Sequence, residues 1–135
     1  TSDRSEQRKY LAEAWDKYNS NQPLEPLELQ LAKIIESHPE YQKIIKDLET
    51  EYFPEQGKTN PYLHINLHLS LQDQINLDQP KGVKEIYTNL LNKYNDSHQV
   101  EHLMMEHLAE MIFNSQKYNK SMDLEHYLRS LQELK

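Results

Sequence analysis

Apolar residues recur along the chain at intervals of three and four, the period of an α-helix with one buried face, and no stretch alternates convincingly with period two. The first helix is expected from about Asp3 to Tyr18, with Tyr10, Leu11, Ala14, Trp15 and Tyr18 on one face, until NSNQPLEP breaks it. Pro26 suits a first helical turn and opens a second helix, expected to bury Leu27, Leu31, Ile34 and Ile35 before SHPEY stops it. Pro39 opens a third, carrying Tyr41, Ile44, Ile45, Leu48 and Tyr52.

FPEQGKTN, with Gly57, is the longest polar break, and residues 55–60 read as an internal loop joining two halves of one domain. Asn60 and Pro61 form an N-cap and first-turn pair for a helix that should end near NLDQPKG. Further helices are expected from Val83 to Tyr94, from about His98 to Tyr118 behind the cap NDS, and from near Asp123, packing Leu124, Tyr127, Leu128, Leu131 and Leu134. The pattern thus predicts an all-α fold: residues 1–135 as a single-domain irregular bundle of about five to seven helices, the NPYLH and VEHLMMEH helices lying side by side.

Two of these helices carry histidine where apolar residues belong. His64, His68, Leu71 and Ile75 follow spacings of four, three and four, so the imidazoles share the inward stripe. Side chains four apart stand one above the other and can converge on one ion. SHQVEHLMMEHLAE repeats the device with His98, His102 and Glu106, and the stripe His102, Met105, Ala109, Ile112 turns His102 inward with His98 and Glu106 at its flanks. Two facing helices could then offer four nitrogens and an oxygen to a divalent transition metal such as zinc, iron, nickel or manganese, rather than to calcium, which takes an oxygen shell. His98 lies in a first helical turn, where the macrodipole disfavours its protonated form. Glu101 and Asp73 are candidates to orient ring N–H groups. His38, before Pro39, reads as a helix C-terminal residue interacting with the dipole or as a further ligand, whereas His107 and His126 read as surface residues. The competing reading makes His64 and His68 neutral core histidines, hydrogen-bonded to Glu106, to tyrosines or to each other.

Composition narrows the remaining chemistry. Without cysteine, disulfides, thiol catalysis and thiolate metal sites are excluded, so metal ligands must be nitrogen or oxygen. With 22 acidic residues against 15 Lys plus Arg, the net charge of −7 repels phosphate backbones, and no basic stripe interleaved with aromatics is present, so no nucleic-acid partner is expected. Two glycines leave little for a phosphate-cradling loop. The apolar runs are too short to cross a bilayer and no export-type start is seen, so no membrane partner and a cytoplasmic location are expected.

TNPYLHINLHLSLQDQ, HQVEHLMMEHLAEMIFNSQ and IIESHPEY together resemble a family of small bacterial proteins described as domain of unknown function 1841, and the likeness extends from AWDKYNSNQPLEPLE to the C-terminal helix. The resemblance implies a bacterial, cytoplasmic, all-α domain and marks His38, Asn60, Pro61, His64, His68, His102 and Glu106 as positions of the shared pattern, without implying an activity. Two functions of different kinds follow. The first is metal binding by His64, His68, His102 and Glu106, completed by His98 or His38. A site with an open position could activate water for hydrolysis or bind dioxygen, so any enzyme here is a metal-dependent one, a hydrolase or an oxidoreductase. A filled site would only tie helices together. The second is a metal-free protein–protein interaction module with buried structural histidines, whose acidic surface meets a protein partner or a further copy of the chain.

Overall fold

The computed structural model describes residues 3–45 and 60–134, and among them the chain is all α: α1 (Asp3–Asn19), α2 (Pro26–Glu36), α3 (Pro39–Gln42), α4 (Pro61–Leu77), α5 (Val83–Tyr94), α6 (Ser97–Lys117) and α7 (Leu124–Gln132). Two compact units divide it, residues 1–69 and 70–135, with the boundary inside α4. The stretch expected to link two halves lies outside the described residues apart from Asn60, as do Leu48 and Tyr52.

In the first unit α1 stops at a left-handed residue, Asn21, with φ of 58°, and the Gln22 amide closes the end on the Lys17 carbonyl at 2.9 Å. Glu28 then serves two helices at once. One carboxylate oxygen accepts from the Glu25 amide at 2.9 Å, capping α2, and the other accepts from Lys17 Nζ at 2.8 Å, tying α2 to α1. Leu11 and Trp15 of α1, Leu31, Ala32, Ile34 and Ile35 of α2, Tyr41, Ile45, and Tyr62 and Ile65 of α4 form one buried cluster. Burying a side chain the size of Ile or Leu contributes roughly 1.5–3 kcal/mol, so this cluster dominates the packing energy of the unit. Leu27 departs from expectation: it is 45% exposed, because the buried face of α2 centres on Leu31, Ile34 and Ile35, and Leu27 sits at its edge in the first turn. The third helix is also shorter than its pattern, ending at Gln42 with Ile45 still buried in the turn that follows.

In the second unit the start of α5 is set by Asp78, whose carboxylate accepts from the amides of Gly82 (3.0 Å) and Lys84 (3.1 Å) while Gly82 takes φ of 106°, a region that disfavours a side chain. Asn95 and Asn119 provide the left-handed residues that end α5 and α6, with φ of 56° and 51°. Asp96 and Asp123 cap α6 and α7, accepting from the amides of Gln99 (3.1 Å) and His126 (3.0 Å). Val100, Met104, Leu108 and Met111 form the buried line of α6, with Glu101 beside it; of the expected stripe His102, Met105, Ala109 and Ile112, Met105 is buried and the other three are half-buried. On α7, Tyr127 and Leu131 are buried, Leu128 is half-buried and Leu124 is exposed; Leu134, just past the helix end, is half-buried. The Tyr127 hydroxyl donates to Gln74 Oε1 at 2.7 Å, and burial pushes its phenol far above the ordinary range.

Candidate metal centre

Three imidazoles of the first unit meet at one point. His64 and His68 stand one turn apart on α4, whose first turn is fixed by Asn60: its side-chain oxygen accepts from the amides of Tyr62 (3.0 Å) and Leu63 (3.2 Å). His38 arrives from the reversal between α2 and α3, where Pro39 disfavours helical geometry in the residue before it and His38 takes φ −126° and ψ 77°, outside the helical region. The Nε2 atoms of His38 and His64 are 3.0 Å apart, those of His38 and His68 3.2 Å, and those of His64 and His68 3.2 Å. His38 and His68 are each only 2% exposed and His64 is half-buried. The ring planes cross at 80°, 65° and 74°, so the rings radiate from the meeting point rather than stacking on one another.

The protonation pattern follows from the neighbours. His38 Nδ1 lies 2.7 Å from the Ile34 carbonyl oxygen, which can only accept, so Nδ1 carries the proton and, in the neutral ring, Nε2 presents a lone pair to the other two histidines. A neutral imidazole has one N–H, and a triangle of three Nε2 atoms at these distances cannot be satisfied by hydrogen bonds along all its edges. A shared cation would satisfy it: nitrogens 3.0–3.2 Å apart are close enough to be held together by one ion at the roughly 2.0–2.1 Å usual for zinc–imidazole bonds. Tyr41 closes one side: its ring lies parallel to His38 (centroids 5.0 Å apart, 11° between planes) and edge-on to His64 (5.7 Å, 72°). Burial, and then the nearby Glu40 carboxylate, raise its phenol pKa above the ordinary value, so Tyr41 remains a neutral aromatic wall.

The other expected ligands belong to the second unit. His98 and His102 stand one turn apart on α6 with ring centroids 4.2 Å apart, and both are half-buried. Glu106 is exposed. The buried carboxylate of α6 is Glu101, which accepts from Gln72 Nε2 at 3.1 Å, and it contributes, after burial, to raising the Tyr87 phenol. Asp73 is exposed, His107 half-buried, and His126 exposed within 3.9 Å of Glu110. Each histidine pair stands one turn apart on its helix, as its spacing predicts. Spacing left His38 between two roles and did not single out Tyr41, although the HPEY tetrapeptide places that ring one helical turn after His38.

A family model described as "Domain of unknown function (DUF1841)" matches residues 3–133, nearly the whole chain. The chain belongs to this family. No curated protein and no solved structure matches it. Among the described residues no helix is long and apolar enough to cross a membrane.

Proposed function

We propose that this member of the family binds a divalent transition-metal ion, with His38, His64 and His68 as nitrogen ligands. The observation that carries the reading is the convergence of three Nε2 atoms within 3.0–3.2 Å of one another, with the His38 proton committed to the Ile34 carbonyl on the opposite side of its ring. Three imidazoles favour zinc, iron or nickel over magnesium and calcium, whose shells are oxygen; manganese is the weakest contender of the four named by the ligand set. His98, His102 and Glu106 enter the proposal as further donors on their sequence pattern; the two histidines are half-buried and Glu106 is exposed.

The test uses untagged protein purified without a nickel column. Elemental analysis should find close to one ion per chain, or stoichiometric uptake after incubation with Zn2+ or Fe2+. His68→Ala should lose that ion. His98→Ala with His102→Ala should weaken uptake if α6 donates to the ion, and leave it unchanged if the three first-unit imidazoles suffice. Protein that carries no metal, takes none up and melts at the same temperature with and without a chelator overturns the proposal in favour of an interaction module with structural histidines.

A further inference from the structure

We propose that Tyr41 is a positioning residue for this site, setting the planes of His38 and His64 so that their nitrogens meet; the inference rests on the metal-binding reading above. The Ile34 carbonyl meets His38 at Nδ1, and the ring's remaining freedom is rotation about its Cβ–Cγ bond, which the groups against its faces limit. Any swing carries Nε2, on the far side of the ring, away from the other two nitrogens. The parallel face of Tyr41, 5.0 Å from the His38 ring centre, blocks the swing on one side. The same phenol ring meets the edge of His64, so one rigid side chain references two of the three ligands. Tyr41 is itself fixed from both directions of the chain: its amide donates to the His38 carbonyl at 2.9 Å, and its carbonyl accepts from Ile44 (3.1 Å) and Ile45 (3.0 Å). With only 8% of it exposed, the ring also keeps water from that side of the ligands.

The contact is made by the flat face, so phenylalanine should replace Tyr41 and leucine should not. Loss of such a supporting partner lowers metal affinity by roughly 10–100-fold, whereas retention of the ring should keep it within about threefold. The experiment measures the Kd for Co2+ against a chromophoric chelator, with the visible d–d spectrum of the bound ion, on wild-type, Tyr41→Phe, Tyr41→Leu and Leu11→Ala proteins. Leu11 is buried in the same core cluster on α1, so Leu11→Ala should lower the melting temperature while leaving Kd and spectrum unchanged. Tyr41→Leu should weaken binding and shift the spectrum, and Tyr41→Phe should do neither. Should Tyr41→Leu not fold, Tyr41→Met, which restores volume without a flat face, reads the same loss. Wild-type affinity in the Leu or Met variant overturns the inference, as does equal weakening by Tyr41→Phe or Leu11→Ala. Wild-type protein that takes up no Co2+ overturns the metal reading itself, and this role with it.

Discussion

Glu28 is a case where one side chain's environment makes a pH prediction. Its carboxyl pKa is lowered first by the hydrogen bond from Lys17, then by the Glu25 amide, in a side chain only 5% exposed. A carboxylate whose folded pKa is depressed contributes stability that is fully present above its unfolded pKa of about 4.3 and is lost as pH falls through the folded value. Melting curves of wild-type and Glu28→Gln protein, both in chelator, should therefore differ at pH 6 and converge as the pH drops below about 4; a gap that persists unchanged at pH 3 would assign the loss to something other than the carboxylate charge. His38 shows the complementary lesson about legibility. Its place between IIES and PEY marks a helix end, and that much is local. That its ring turns back onto α4 depends on a chain reversal and on a contact 26 residues away, which periodicity does not encode.

Among the helices, what the sequence makes legible is what local chemistry decides. Asn60 caps α4, Asp96 caps α6 and Asp123 caps α7, each accepting from the amide three residues on, and each stands where the sequence places a cap. The boundaries of α5 match the pattern from Val83 to Tyr94 because Gly82 and Asn95, both at positive φ, punctuate it at either end. Rotational phase is harder. The lines Val100–Met104–Leu108 and His102–Met105–Ala109 are both in helical register and differ by about a third of a turn; tertiary packing buries the first throughout and the second only at Met105. Leu27 fails similarly, as an apolar residue in phase with a stripe that ends before reaching it. The cap of α4 matters most for the site, since this helix carries two of the three converging imidazoles. Asn60→Ala should cost about 1 kcal/mol and lower the melting temperature by several degrees, with Asn60→Asp close to wild type. Metal affinity should fall in the Ala variant too, because fraying starts one turn from His64; an unaltered melting temperature would mean that the Asn60 bonds do not limit helix stability.

For the molecule as a whole, the decisive structural fact is that the two compact units share a helix: Leu69 and Ser70 are consecutive residues of α4. A unit boundary in a loop permits independent unfolding, whereas melting one half of a continuous helix removes intrahelical hydrogen bonds that hold the other half at the junction. The chain is therefore expected to unfold as one domain, and a metal ion offers a way to see it. An ion that binds the folded chain alone at a free concentration of 100 times its Kd adds about 2.7 kcal/mol to the stability of whatever unfolds with the site. The net charge of −7 favours the approach of such a cation at low ionic strength. With Zn2+ added, amide hydrogen exchange should slow by the same free-energy increment for Ile34 and Ile35 of α2 and for Met104 and Leu108 of α6, all buried residues, and Trp15 fluorescence should melt at the same raised temperature as the helical signal. Protection that rises in α2 and stays fixed in α6 would show the first unit responding alone, and the expectation of a single domain would fall while the metal site stood.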